Sequence, residues 1–392
     1  MAPAATSSSL DSFAEALKLH PSPAAWSEDR ILAKTLAAAG CEVVATTALE
    51  HPLRIITAAE RTVLAFDYAY FLLLRSLCRA FLQGGDTRGA LPALLQFEVG
   101  VQLDRMGHGE EGAGLLRSAC ELRTRYAVYQ STSTHEAFLY ELAIHFCIAH
   151  EQAHRHFEAE HDERQAWMKE AQGFLRHFDD NVERMFTDSV VLADIRQSIA
   201  VFRSSELLTE ELACDLCAID HAIEAAVRQL PHKSTIYTNG YYTAARLTIL
   251  SLYLARTIGR SAALIVEEIH EGAIQAHRAD HVADNLSFMS ALRLRFQILL
   301  MKIVSMKVRF KLVSTEPRFA KLDDVIETNQ DAFARLMAFI TKEMQETRGS
   351  VLIYPHLWIG LAGRLWAPSA NQPDNQHLVA LYLREFWFCN EG

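Results

Sequence analysis

The chain has 392 residues, 50% of them hydrophobic and 22% charged, with 17 glycines and 10 prolines. That composition excludes fibrous, low-complexity and disordered classes, and the length leaves room for two or three lobes. Lysine and arginine number 38 against 48 aspartates and glutamates, a formal net charge of −10; nucleic acid is therefore an unfavoured partner, because phosphate binding needs clustered cations.

The first residues, MAPAATSSSLDSFAEALKLH, lack the basic segment and apolar run of a signal peptide. Seven cysteines (Cys41, Cys78, Cys120, Cys147, Cys214, Cys217 and Cys389) form an odd set scattered through apolar stretches, which reads as reduced thiols in a cytoplasmic protein. The apolar runs do not suit a membrane. VLAFDYAYFLLLRSLCRAFL carries Asp67, Arg75 and Arg79, while LTILSLYLARTIG and FQILLMKIVSM fall short of the roughly 20 residues a bilayer core requires.

From Ser27 onward apolar residues return every three or four positions, which predicts a mainly α fold with few short strands. Helices or broken pairs are expected near 55–84, 91–123, 134–172, 180–230, 241–257, 261–280 and 284–312. CEVVATT, RYAVYQ and SVLIYPHLW are the strand candidates. The pattern divides into an N-terminal extension (1–54), a helical core (55–312) and a C-terminal helical subdomain or cover (313–392), with Pro317 near the second boundary. The basic run Lys302, Lys307, Arg309, Lys311, Arg318 and Lys321 reads as a solvated face.

The chemistry lies in THEAFLYELAIHFCIAHEQAHRHF. Ser133 and Glu136 form a capping-box start, and the apolar positions that follow send the helix through the interior. The buried stretch ends in His150-Glu151-Gln152-Ala153-His154, an HExxH pattern. At 3.6 residues per turn the two histidines share one helix face with Glu151 beside them. Two neutral imidazoles can then hold one Zn²⁺ while the carboxylate takes a proton from water.

A third ligand decides between arrangements. The compact HExxHxxGxxH form is excluded, because Phe157 stands at its Gly and Glu160 at its third His, and His161 reads as a surface side chain. Downstream, in SSELLTEELACDLCAIDHAIEAA, Glu211 and Asp215 occupy i and i+4 of one helix. Glu211 then becomes the third ligand, and Asp215 accepts a hydrogen bond from the outer N–H of a ligating histidine.

With His150, Glu151, His154, Glu211 and Asp215 in place, the sequence resembles the gluzincin metallopeptidases, in which HExxH and a following ExxxD share one zinc ion. A fainter similarity is to soluble bacterial HExxH peptidases implicated in phage exclusion. The resemblance implies a helical gluzincin-like core, a Zn²⁺ cofactor, a protein or peptide substrate and cytosolic metalloendopeptidase activity with a narrow or regulated target. It also implies donors for the developing oxyanion. Candidates are Tyr237, Tyr241, Tyr242, His277, His281, Arg293 and Arg295, of which His281 and Arg295 stand at places where similar peptidases carry a His and an Arg. Gluzincins present a strand beside the HExxH helix to pair with substrate, and RYAVYQ is the segment available for it.

Two other readings compete. A di-iron carboxylate bundle would use Glu151–His154, Glu267–His270, Glu98 and Glu211, leaving His150 and Asp215 without a role. A non-catalytic regulator would use the metal only to staple a helical scaffold. The lone CxxC of Cys214 and Cys217 reads as packing.

Overall fold

The computed structural model describes residues 26–46, 52–58, 61–82, 87–106, 108–126, 134–185 and 189–228, together with helical residues at intervals over 245–263 and 291–305. The SVLIYPHLW strand, the 313–392 subdomain and the Ser133 cap lie outside the described residues. The described chain is mainly helical, with one three-stranded sheet. It divides into two compact units. One comprises Met1–Ala137, Leu254–Ala273 and Asp323–Gly392, the other Phe138–Tyr253 and Ile274–Leu322. The boundaries read from sequence, at 54 and 312, are drawn differently.

The first unit opens with a 3-10 turn (Trp26–Glu28) and helix α1 (Arg30–Ala37). Asp29 caps α1, its carboxylate accepting from the N–H groups of Ile31 and Leu32, each at 3.2 Å. Gly40, at φ +70°, takes the left-handed conformation that turns the chain into strand β1 (Glu42–Thr46). β1 realises the CEVVATT expectation. Strands β2 (Leu53–Ala58) and β3 (Arg61–Asp67) follow. β3 lies at the centre of the sheet, parallel to β1 and antiparallel to β2.

These two strands overturn the helix expected to begin at 55. Val63, Leu64, Ala65 and Phe66 are all fully buried, and a strand covered on both faces shows no alternation. Its apolar run merges with that of helix α2 (Tyr68–Leu82), so periodicity alone could not separate them. The β-branched set Ile55, Ile56, Thr57, Thr62 and Val63 is the discriminating signal.

Helices α3 (Thr87–Arg105) and α4 (Gly109–Tyr126) pack against each other. Arg125 and Tyr126 close α4, so the RYAVYQ strand is corrected at its first two residues, and its remainder lies outside the described residues. The α3–α4 contact is a backbone approach. A Cβ on Gly112 would meet the Gly100 carbonyl oxygen at 2.6 Å, and a Cβ on Gly100 would meet that of Gly112 at 2.9 Å.

In the second unit, helices α5 (Thr134–Ala159, from Phe138 onward), α6 (His161–Met185), α7 (Ser189–Ser204) and α8 (Glu206–Arg228) supply the core. α6 buries Met168, Ala171, Leu175, Phe178 and Val182, a three-four spacing that makes one apolar stripe. α7 adds Ile195, Ile199 and Phe202 in the same way, and α8 buries Leu212 through Ile219 almost without interruption. Ser205 breaks α7 from α8 and caps the latter, its hydroxyl accepting from the Leu208 N–H at 3.3 Å.

Lys302, read from sequence as part of a solvated basic face, is only 5% exposed. Its ammonium bridges Glu170 of α6 at 2.5 Å and Asp220 of α8 at 2.9 Å, above the Trp167 ring. Lys302 lies at the start of that run and on a helix whose other face is core, and the two acids offset the cost of burying it. Among the described residues no helix is long and apolar enough to cross a membrane.

The glycine contact gives the first prediction. Gly112→Ala forces a methyl into the α3–α4 backbone approach and should destabilise the protein by roughly 1–3 kcal/mol. Gly114→Ala and Gly173→Ala, where a Cβ meets nothing within 4 Å, should instead be neutral or stabilising by up to about 1 kcal/mol. Urea denaturation of the three variants measures the contrast.

Candidate metal centre

The centre lies wholly in the second unit, between side chains of α5, α8 and the helical stretch around Arg295. His150 and His154, one turn apart on α5, bring their Nε2 atoms to 3.3 Å, with ring planes nearly perpendicular at 79°. Glu211 of α8 meets both. Its Oε1 is 3.2 Å from His154 Nε2, and its Oε2 is 3.6 Å from His150 Nε2. Three potential ligand atoms therefore lie within 4.8 Å of one another, and this is the one group of that kind among the described residues. His150, His154 and Glu211, the residues expected as ligands, are thus brought close together.

Two nitrogens and a carboxylate oxygen on side chains that converge tip to tip fit a borderline divalent cation such as zinc. His150 is 6% exposed, while the His154 and Glu211 side chains are partly exposed, so the point of convergence lies toward solvent on that side.

Behind His150, Asp215 Oδ1 stands 3.0 Å from Nδ1. The approach is close but too bent for a well-formed hydrogen bond, and Nδ1 has no other partner. The second oxygen of Asp215 accepts from Arg295 Nε at 2.6 Å, and Arg295 Nη1 lies 3.2 Å from Glu211 Oε2. Arg295 Nη2 is buried with no hydrogen-bond partner. Sequence reading singled out Arg295 as an oxyanion donor, and the fold brings it to the centre with its guanidinium against the two carboxylates.

The electrostatics follow from burial opposed by pairing. Burial works against the charged form of His150, but Asp215 and Glu211 outweigh it and push the imidazole up to about 9. Burial likewise opposes ionisation of Glu211, yet its contacts with His150 and His154 and the nearby Arg295 hold the carboxyl far below the usual range. Asp215 behaves in the same way, with Arg295 and then His150 overriding burial. For Arg295 the two carboxylates more than offset desolvation and keep the guanidinium protonated.

Glu151 is half-buried on α5 between the two histidines in sequence, and it is outside the converging group. His281, Tyr237, Tyr241, Tyr242, His277 and Arg293 lie outside the described residues, as do Glu267 and His270 of the di-iron alternative. Glu98 belongs to α3 in the first unit, where its Oε1 accepts from Gln102 at 3.1 Å and burial pushes its carboxyl up. It joins no potential ligand group among the described residues. The CDLC thiols are packing groups: burial, with the neighbouring acids, pushes Cys214 far up and Cys217 to about 12, and neither would be a thiolate at neutral pH.

Two residues escaped sequence reading. Glu210, beside Glu211 on α8, reaches within 3.8 Å of His154 Nδ1, and Arg164 of α6 donates to it through Nε at 2.9 Å. Nothing in their spacing marks them, because they are 46 positions apart and look like ordinary surface charges.

Comparison with known proteins yields no matching family model, no matching curated protein and no matching solved structure. Functional inference therefore rests on the geometry.

The raised His150 value fixes a pH dependence in the metal-free protein. The folded value of about 9 lies above an unfolded value near 6.5. The stabilisation is thus fully present below about pH 6.5 and is lost as pH rises toward 9. Its size should be on the order of 3 kcal/mol. Guanidinium denaturation of chelator-treated protein should show falling stability from pH 6.5 to 9, and His150→Gln should flatten that fall.

Proposed function

We propose that the chain is a zinc-dependent peptide hydrolase, a cytoplasmic metalloendopeptidase of gluzincin type acting on a restricted protein target. The observation that carries the reading is the convergence of His150 Nε2, His154 Nε2 and the Glu211 carboxylate on one point, with Asp215 behind His150. HExxH alone would leave the class open. A carboxylate as third candidate ligand and its companion Asp, one helical turn apart on α8, are compatible with the gluzincin arrangement.

On this reading His150, His154 and Glu211 hold Zn²⁺, which when bound supplies a Lewis acid for a scissile carbonyl and acidifies a coordinated water. Asp215 fixes the tautomer of His150, keeping the proton on Nδ1 and the lone pair on Nε2. Glu151 takes a proton from the attacking water onto a carboxylate oxygen and carries it to the departing amide nitrogen. Arg295 holds Asp215 and Glu211 in register. His281 would supply a further donor to the oxyanion. Among the described residues no disulfide is formed, which agrees with a reducing compartment.

Glu151→Gln should keep stoichiometric zinc and lower turnover of a cleaved protein or peptide by roughly 10²- to 10⁴-fold. His150→Ala and Glu211→Ala should lose the metal itself. Elemental analysis beside a peptide-cleavage assay separates the two effects, and undiminished hydrolysis by Glu151→Gln would overturn the reading.

A further inference from the structure

The two histidines of the centre are backed in the same way, by carboxylates that divide their oxygens between an imidazole and an arginine. Asp215 turns Oδ1 to His150 Nδ1 at 3.0 Å and Oδ2 to Arg295 Nε at 2.6 Å. Glu210 turns Oε1 to His154 Nδ1 at 3.8 Å and Oε2 to Arg164, which grips it through both Nε, at 2.9 Å, and Nη2. Arg164 is anchored in turn by Glu206, one turn earlier on α8, at 2.8 Å. The Glu210 and Arg164 side chains are each 19% exposed, so the pair is shielded far better than the exposed Arg196–Glu183 bridge of the same unit.

We propose that Glu210 is the positioning residue for His154, and that Arg164 is the clamp that aims it. The inference rests on the metal reading above and extends it to the second histidine. The helical arithmetic supports it. Glu210, Glu211 and Asp215 stand at i, i+1 and i+5 on α8, so the central ligand is flanked by one carboxylate on each side. His150 and His154 stand at i and i+4 on α5, one opposite each flank. Binding of Arg164 to Oε2 alone leaves Oε1 free for the imidazole and keeps Glu210 from swinging in as a fourth ligand. A cation drawing on His154 Nε2 makes its Nδ1–H a stronger donor, and the 3.8 Å gap closes to a hydrogen bond with a small rotation of either side chain. The pair thereby selects the tautomer of His154 with its lone pair on Nε2.

The test is zinc affinity of the full chain, measured by competition with a chromophoric chelator, together with the visible absorption of the Co²⁺-substituted protein. Wild type should bind one zinc. Glu210→Gln should bind it about 10- to 100-fold more weakly, with an altered Co²⁺ spectrum. Arg164→Gln should show the same changes to a smaller degree, and Arg164→Lys should restore part of the affinity. Arg203→Gln, which removes an exposed bridge to Asp179, should match wild type. A mere brace between α6 and α8 would lower the unfolding midpoint of the metal-free protein and leave the Co²⁺ spectrum unchanged. Glu210→Gln with wild-type zinc affinity and spectrum would overturn the inference while leaving the metal reading intact. Wild type without zinc binding would overturn both. Should Glu210→Gln fail to fold, Glu210→Asp decides: a carboxylate one methylene short should weaken zinc binding and shift the spectrum, and unchanged values would overturn the assignment.

Discussion

Removing the Asp215 carboxylate from water would cost several kcal/mol on its own, and the Arg295 guanidinium 2.6 Å away offsets that cost. The rest of the centre depends on this pair. Arg295 commits Oδ2 of Asp215 and so leaves Oδ1 for His150, and the same guanidinium reaches Glu211 through Nη1. One cation thus sets the positions of the ligand carboxylate and of the carboxylate behind it. Its own charge is buried only because both acids remain ionised, so removing any member would leave an uncompensated charge in the interior.

Around that pair the scaffold ties α6, the helix that follows α5, to α8. α6 leaves α5 after Glu160, whose carbonyl accepts from the Arg164 N–H at 3.0 Å, and α6 then packs along α8. Arg164 ties the beginning of α6 to the beginning of α8, and Lys302 ties Glu170 to Asp220 further along both helices. The stripe from Met168 to Val182 buries the face of α6 alongside and beyond these polar ties. A ligand set tolerates displacements of only about half an ångström, and two cross-links on one helix pair are a direct way to hold that tolerance.

What the sequence disclosed follows from the range over which each signal acts. His150 with His154 and Glu211 with Asp215 are one-turn relations on single helices, and helical spacing makes such relations visible without any tertiary information. The meeting of α5 with α8 was inferable because neither motif has a use for its buried charges alone. Glu210 and Arg164 carried no such signal, since a Glu beside a Glu and an Arg among acids look like solvated residues until the partner helix is seen. Lys302 was misread for the same reason. β3 failed for a different one: full burial removed the alternation that identifies a strand, and the adjoining α2 continued the apolar run. Arg295 was found by its chemistry, but its hold on Asp215 and Glu211 could come only from the fold.

On the proposed reading, the formal charges bear on how this centre would act at a carbonyl. Without a metal, protonated His150 and Arg295 balance Glu211 and Asp215, so the cluster is neutral and stable in the interior. A divalent cation would add two charges and displace the His150 proton, because only the neutral imidazole offers Nε2 as a ligand. The centre would then carry a single net positive charge. A further anionic ligand would neutralise that charge, and Glu210, the nearby carboxylate outside this sum, is held by Arg164. On the proposed reading that charge would be left for an oxygen from outside the protein, and its stabilising effect would be greatest when that oxygen became an anion. The Arg164 clamp would then act on reactivity as well as on structure, since it would keep the Glu210 carboxylate from quenching the field that a developing oxyanion would need.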